Sequence, residues 1–120
     1  MARRRPDEAY AMQTRYSETA PDRAELDALG GPVLVEFGTN WCGFCRAAQA
    51  PLAQAYADHP EVRHVKVEDG PGRRLGRSFG VKLWPTLVFM RDGKELARVV
   101  RPVDAGEIAD GFARIDPPAA

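Results

Sequence analysis

The chain has 120 residues, which is enough for one domain with a buried core of its own. Its 17 basic and 17 acidic residues balance, which argues against a nucleic-acid partner. No stretch approaches the roughly 18 apolar residues that a membrane-spanning helix needs, so we expect no membrane partner either.

Residues 1–20 are interpreted as a polar N-terminal extension, with one short strand predicted around 13–17. The head of this extension, MARRR, has the charge of a secretion signal, but no apolar segment of about 7–15 residues follows it. We therefore expect a cytoplasmic protein, in which the three arginines form a solvated tail. In that reducing compartment a lone pair of close cysteines is more often catalytic or metal-binding than structural.

A domain is predicted over 21–115, followed by a tail at 116–120. It begins with a short helix in PDRAELDALGG, with Pro21 in the first turn and glycines at the end. The next run, VLVEF at 33–37, is too short and too β-branched for a helix. It predicts a strand buried on both faces, as in a parallel sheet.

A helix is predicted over 42–58, ended by the His-Pro pair at 59–60. Pro51 should kink it, because proline lacks the backbone N–H and crowds the preceding turn. The predicted buried stripe is Cys45, Ala48, Leu52 and Tyr56, and the residues left for solvent are Arg46, Gln49 and Gln54.

The second half of the domain alternates strands and helices. A strand at 62–67 precedes a short helix ended by Gly80, and a hairpin turns at Asp92–Gly93, the favoured two-residue turn. A last helix has Asp104 as its N-cap. This order predicts helices around a central sheet whose first strands are parallel and whose last pair is antiparallel. The buried residues predicted for the last helix are Ile108, Phe112 and Ile115.

Both cysteines of the chain lie in one motif, WCGFC. The pair could be half of a metal site, a structural disulfide or a redox couple. Cys42 is predicted at a helix N-terminus, where free N–H groups and the helix dipole favour its thiolate. Cys45 is predicted one turn later on the buried stripe, where it should keep its proton. Two such unequal thiols suit thiol–disulfide exchange, in which one attacks a substrate disulfide and the other resolves the mixed disulfide.

A base is needed to deprotonate Cys45, and Glu36 is the candidate. It is the only charged residue in VLVEF, and a buried carboxylate is expected to have a raised pKa, which suits a proton acceptor. Lys66, on the neighbouring predicted strand, could face it. The alternative is that Glu36 lies at a sheet edge in contact with solvent.

A zinc site is the main alternative to a redox role for the cysteines, because Cys42 and Cys45 are followed by His59 and His64 at zinc-finger spacing. The predicted elements argue against it, since Pro60 separates the histidines and His64 falls in a strand. We expect both histidines at the surface or its boundary, and no metal site. A structural disulfide across so small a loop would restrict the unfolded chain too little to add much stability.

The segments VLVEFGTNWCGFC and VKLWPTLVFMRDGKEL, with the kinked helix between them, resemble the thioredoxin family from about Pro21 to Ile115. The resemblance implies an α/β, thioredoxin-like fold with a central mixed β-sheet flanked by helices on both faces. It also implies reduction of protein disulfides with Cys42 as nucleophile and Cys45 as resolving thiol. The only redox group is then the disulfide between Cys42 and Cys45, with no separate cofactor. An upstream reductase, such as a thioredoxin reductase, would donate the electrons, and we expect a monomer active in electron transport and cell redox homeostasis.

The same resemblance implies a substrate groove. A cis Pro85 should face the cysteine pair, with Trp84, Pro85 and Thr86 forming a backbone ledge for the substrate chain. Trp41 is expected to add an apolar docking surface, as is Trp84, although each could instead be a core aromatic. The motif residues expected to contact the substrate are Trp41, Gly43 and Phe44.

The chain departs from the family pattern in ways that affect its chemistry. Phe44 stands where thioredoxins usually have proline, so the reduction potential cannot be transferred. Glu36 replaces the usual aspartate and could reach Cys45 directly, and Gly38 replaces a tryptophan. Arg101 stands where the family usually has glycine. Net disulfide oxidation or isomerisation, and a non-enzymatic redox-sensing interaction module, therefore stay open as alternatives.

Overall fold

The structure, a computed structural model, describes residues 10–118; the N-terminal arginines and the last two residues of the predicted tail lie outside this range. The elements in chain order are α1 (Arg23–Asp27), β1 (Pro32–Gly38), α2 (Gly43–Ala47), α3 (Gln49–Tyr56), β2 (Arg63–Glu68), α4 (Arg74–Ser78), β3 (Thr86–Arg91), β4 (Lys94–Val100) and α5 (Ala105–Ile115). Within the described residues no helix is long and apolar enough to cross a bilayer, and α5, the longest, has 11 residues.

The strands form one mixed sheet in the order β2-β1-β3-β4. The pair β1 and β2 is parallel, whereas β3 runs antiparallel to both β1 and β4. This confirms the predicted sheet and its closing hairpin. Asp92 and Gly93 form the turn with φ angles of +50° and +83°, the left-handed conformation that a tight two-residue hairpin requires.

Helices cover both faces of the sheet, and β1 shows how the faces are divided. Leu34 points toward α3 and α5, whereas Val33, Val35 and Phe37 point toward α1 and α4. Because side chains alternate along a strand, Glu36 lies on the same face as Leu34. The predicted stripe of α5 is confirmed: Ile108, Phe112 and Ile115 are all fully buried.

The helix predicted over 42–58 is two helices, which corrects the expectation of one kinked helix. Ala48 is both the last cap of α2 and the first cap of α3, and Pro51 is the third residue of α3. Its missing N–H therefore falls in a first turn, where backbone donors have no helical partner. The predicted stripe is buried as expected, but Gln49, expected in solvent, is half-buried.

The N-terminal segment, residues 10–17, lies along the outer edge of β2. The strand predicted at 13–17 is wrong, because only Ser17 forms a β-bridge, with Val67. Two backbone hydrogen bonds hold it: the Ser17 N–H donates to the Lys66 carbonyl at 3.0 Å, and the Ser17 carbonyl accepts from the Glu68 N–H at 2.9 Å. The segment nevertheless contributes a buried side chain, that of Tyr16. A domain boundary at residue 20 stays a prediction.

The start of α1 also differs from the prediction, which placed Pro21 in the first turn. Asp22 is the N-cap, and its carboxylate accepts the Glu25 N–H at 2.8 Å while the Glu25 carboxylate accepts the Asp22 N–H at 3.2 Å. This capping box fixes the first helical residue as Arg23, two residues after Pro21, which therefore lies outside the helix.

Candidate active site

The two cysteines lie at the start of α2 in unequal surroundings, and both are reduced. Cys42 is the N-cap residue, half-buried, and its sulfur accepts the Cys45 N–H at 3.2 Å. Cys45 is fully buried. Burial, followed by a hydrogen bond to Cys42, raises the pKa of the Cys45 thiol to about 12, although a hydrogen bond from the Thr39 backbone opposes the rise. Cys45 therefore holds its proton, as the sequence predicts.

The Glu36 carboxylate lies on β1, behind Cys45, with none of its surface exposed. It accepts hydrogen bonds from three side chains: Tyr16 Oη at 2.5 Å, His64 Nε2 at 2.8 Å and Gln49 Nε2 at 3.0 Å. Glu36 is therefore buried, as expected, and the alternative of a solvated sheet-edge position does not hold.

Lys66 faces Glu36, as predicted, because the parallel register pairs the two residues directly across β1 and β2. Its ammonium nitrogen is 3.6 Å from Glu36 Oε2, donates to Gln49 Oε1 at 2.6 Å, and lies 4.5 Å from the centroid of the Tyr16 ring. Burial lowers the pKa of Lys66, and the charge of Glu36 offsets part of that change. A buried carboxylate and a buried ammonium thus stabilise each other's charged forms.

The pKa of Glu36 is lowered, which corrects the sequence-based expectation of a raised value. Burial acts to raise it, but the interactions with His64, the positive charge of Lys66 and the hydrogen bond from Tyr16 together outweigh burial. Burial raises the pKa of a carboxylate that is unpaired, whereas the oxygens of Glu36 are surrounded by donors. Glu36 is therefore an ionised acceptor in the resting protein.

His64 is buried, so the expectation of a surface or boundary position is wrong for this histidine. The Gln13 backbone N–H donates to Nδ1 at 2.9 Å, so this nitrogen carries no hydrogen. Nε2 must then carry the ring hydrogen, which it donates to Glu36. His59, by contrast, is half-buried and contacts the Asp116 carboxylate at 2.8 Å. Within residues 10–118 no cluster of three or more histidine, cysteine or acidic side chains could hold a metal ion.

Tyr16 separates Glu36 from Cys45, so the direct contact expected for the longer glutamate side chain does not form. The tyrosine hydroxyl donates to Glu36 Oε2 and lies beside the Cys45 sulfur. It occupies the space in front of Gly38, where a Cβ would lie 2.7 Å from that oxygen and 2.5 Å from Cys45 Sγ.

The surface around Cys42 is apolar and exposed. Trp41 is 71% exposed and Phe44 58% exposed, and nothing lies within 4 Å of the position a Cβ would take at Gly43. The Arg101 guanidinium lies 4.0 Å from the centroid of the Phe44 ring and donates from Nε to the Trp84 carbonyl at 2.9 Å. Arg101 thus holds the Phe44 ring in place near Cys42, and the ring stays exposed to solvent.

The Trp84–Pro85 bond is cis, as expected for the ledge predicted at 84–86. Pro85 is buried, as is the Thr86 side chain, whose hydroxyl donates to the Leu83 carbonyl at 2.6 Å. Trp84 is half-buried and its indole N–H donates to Asp69 at 2.9 Å. Only backbone atoms and part of the indole can therefore meet a substrate here.

Sequence reasoning missed three residues of this site: Tyr16, Gln49 and His64. The alternation of β2 could have found His64, because it lies two residues before Lys66 and so on the same face. Gln49 lies one helical turn after Cys45, and its amide donates to the Cys45 carbonyl at 2.7 Å. Tyr16 had no local signal, since its place depends on a segment packing against β2.

Many known proteins are similar to this chain. A family model described as thioredoxin matches residues 18–114. The thioredoxin of Chlamydia muridarum is 39% identical over 70 residues, which cover 58% of this chain and 69% of that protein. The solved structure of thioredoxin 2 from Pseudomonas aeruginosa, in its reduced form, is 65% identical and superposes with a TM-score of 0.78. That comparison covers 87% of this chain and 96% of the other.

Proposed function

Since this chain belongs to the thioredoxin family and is a thiol–disulfide oxidoreductase, we propose that it reduces protein disulfides with Cys42 as nucleophile and Cys45 as resolving thiol. The observation that carries this assignment is the inequality of two neighbouring sulfurs. Cys42 is reachable from solvent, whereas Cys45 is fully buried with a raised pKa. The reachable sulfur can attack a large substrate, and the buried one can attack only the mixed disulfide beside it.

The reaction takes place in two exchange steps. The Cys42 thiolate attacks one sulfur of a substrate disulfide, and the other substrate sulfur leaves as a thiolate. Cys45, after losing its proton, attacks the Cys42 sulfur and displaces the second substrate thiolate. The substrate disulfide gains two electrons, and the enzyme pair becomes a disulfide.

Glu36 is proposed as the group that takes the Cys45 proton, with Lys66 in support. An ionised carboxylate lies behind the buried thiol, and neither group is exposed to solvent, so the carboxylate is the base available to the thiol. Lys66 keeps the carboxylate charged between turnovers, because the neighbouring ammonium favours the anion.

The substrate is proposed to dock as an extended chain on the ledge at 84–86, opposite Cys42. Trp41, Gly43 and Phe44 would contact it on the other side of the thiol. The exposure of two large aromatic side chains beside the reactive sulfur supports this surface, because such residues are enriched where proteins bind each other.

The cellular setting is proposed from composition and resemblance. We infer a cytoplasmic monomer that receives electrons from an upstream disulfide reductase such as a thioredoxin reductase. In this role it would contribute to electron transport and cell redox homeostasis, with the Cys42–Cys45 disulfide as its only redox group.

The test is an insulin-reduction assay with dithiothreitol as electron source. The wild-type chain should accelerate precipitation of the insulin B chain, and Cys42→Ser should abolish the acceleration. Cys45→Ser should accumulate a covalent mixed disulfide with its substrate, visible on a non-reducing gel. An absence of acceleration by wild type would favour an inert interaction module.

Equilibration with glutathione distinguishes reduction from oxidation or isomerisation. A reduction potential near that of the strong oxidants, about −120 mV, would contradict a reductase role. The matched control is the Cys42→Ser/Cys45→Ser variant, which should exchange nothing with glutathione.

A further inference from the structure

We propose that Tyr16 is a catalytic residue whose hydroxyl passes the proton of Cys45 to Glu36 during the resolving step. The inference rests on the proposed function, because it concerns the second of the two exchange reactions. Tyr16 lies before residue 18, where the match to the family model begins, and it belongs to the N-terminal segment.

The geometry suits a hydroxyl that donates on one side and accepts on the other. Tyr16 gives its hydrogen to Glu36 Oε2 at 2.5 Å, and the same oxygen lies beside the Cys45 sulfur, since both atoms fall within 2.7 Å of the position that a Cβ would take at residue 38. A phenol has one donor hydrogen and lone pairs free to accept, so it can serve both neighbours at once. Glu36 makes no hydrogen bond to Cys45 within the described part of the chain, whereas the Tyr16 hydroxyl is bonded to Glu36 and lies beside the Cys45 sulfur.

Gly38 makes this position available. A Cβ at residue 38 would lie 2.7 Å from the Tyr16 hydroxyl oxygen and 2.8 Å from the ring carbon that bears it. Both distances are well inside van der Waals contact, so any larger residue would displace the hydroxyl. The glycine therefore leaves the space that the tyrosine fills.

The backbone of Tyr16 is held on both sides, which fixes the hydroxyl. Its N–H donates to Asn40 Oδ1 at 2.8 Å, and its carbonyl accepts from Asn40 Nδ2 at 3.1 Å. Ser17 is bonded to the backbone of β2. The N–H of Gln13 is bonded to His64, which itself contacts Glu36. Such supported side chains hold catalytic geometry better than free ones.

A narrow cleft of about 120 Å³ reaches this relay from solvent. The cleft is lined by Tyr16 and Cys45, and Cys42 is not among its lining residues. Gln49 and Lys66 also line it, and both contact Glu36. A proton taken up by Glu36 can therefore return to water through this cleft while the substrate covers the other side of the pair.

The step balances in atoms and charge. The Cys45 proton moves to the Tyr16 oxygen as the Tyr16 proton moves to Glu36, so that a thiolate and a neutral carboxylic acid result. Burial, followed by the charge of Glu36, raises the pKa of Tyr16 far above its usual value, so the two transfers occur together without a free tyrosinate. The thiolate then attacks Cys42 Sγ, and the departing substrate thiolate keeps the electron pair of the broken S–S bond.

The experiment compares Tyr16→Phe with Tyr56→Phe in rapid-quench reduction of a peptide disulfide, followed by mass spectrometry of the mixed disulfide. Tyr56 is the matched control, because it is also buried and its hydroxyl donates to a backbone carbonyl, that of Val62, at 2.5 Å. Tyr16→Phe should slow decay of the mixed disulfide by about tenfold or more, with its formation changed by less than about twofold. Tyr56→Phe should change neither rate by more than about twofold.

A double-mutant cycle separates a relay from general loosening of the site. If Tyr16 acts through Glu36, then Tyr16→Phe should have little further effect on decay in the Glu36→Gln background. Additive effects, or equal decay rates in Tyr16→Phe and wild type, would overturn the proposal. In wild type, D₂O should slow decay more than formation, and a decay rate unaffected by D₂O would also overturn it. If wild type formed no mixed disulfide at all, the proposed function would fail instead.

Discussion

The pH dependence of Glu36→Gln is the sharpest test of the assignment of Glu36 as proton acceptor. The substitution keeps the size of the side chain but removes its charge and its capacity to take a proton. Cys45, with a pKa of about 12, is ionised at pH 7 in only roughly one molecule in 10⁵ without help. The variant must rely on that fraction, which rises about tenfold with each pH unit.

Wild type should behave differently, because the pKa of Glu36 is lowered and the carboxylate stays ionised at neutral pH and above. Its resolving rate should therefore change little between about pH 7 and 9. The variant should resolve the mixed disulfide about 100-fold more slowly than wild type at pH 7, within the range of general base catalysis. The deficit should shrink by about tenfold for each pH unit gained.

The assay is rapid-quench measurement of mixed-disulfide decay at several pH values. Removing Glu36 leaves Lys66 without its counter-charge, which costs on the order of 3–5 kcal/mol when a buried pair is broken. Glu36→Gln/Lys66→Met is the matched control, because it is neutral again and should recover stability in urea without recovering the resolving rate. Parallel pH profiles for wild type and Glu36→Gln would refute the role of the carboxylate.

Three further predictions concern packing and docking. Gly38→Ala should slow the resolving step and cost about 1–3 kcal/mol in urea unfolding, because the new Cβ would lie 2.7 Å from the Tyr16 hydroxyl; an equally stable and active variant would contradict this. Gly111→Ala should lower stability by a similar amount although alanine favours helices, because its Cβ would lie 2.4 Å from the Phe89 ring; a gain in urea midpoint would show that the ring can move. Phe44→Ala should reduce kcat/KM for a protein disulfide by about tenfold while leaving a small aromatic disulfide nearly unaffected, and equal losses for both would exclude a docking role.

Much of the fold could be predicted because its signals are local. The turn at Asp92–Gly93 depends on residues adjacent in sequence, as do the Asp104 cap and the apolar stripe of α5. The pairing of Glu36 with Lys66 also followed from two neighbouring parallel strands. The sign of the Glu36 pKa shift could not be predicted in this way, because it depends on how many donors surround a buried carboxylate and not on burial alone.

The unpredicted part of the site has a common physical origin in the N-terminal segment. Its few hydrogen bonds to β2 and the 36–40 region bring Tyr16 between residues that are 20 or more positions away in sequence. No periodicity in a polar, weakly patterned stretch reports such long-range packing. The interpretation of residues 1–20 as an extension therefore captured their composition but not the contribution of Tyr16 to the site.

Two departures from the family pattern, Gly38 and Glu36, have one explanation in this site. The glycine removes a side chain that would occupy the space in front of Cys45, and Tyr16 enters that space from outside the match to the family model. A hydroxyl there needs an acceptor within hydrogen-bond distance, and Glu36 supplies one at 2.5 Å. Neither substitution alone would give a continuous path, since a larger residue 38 would exclude the tyrosine and a missing acceptor would leave its buried hydroxyl unpaired. The two positions and Tyr16 should therefore be altered together when the proton path of the resolving step is tested.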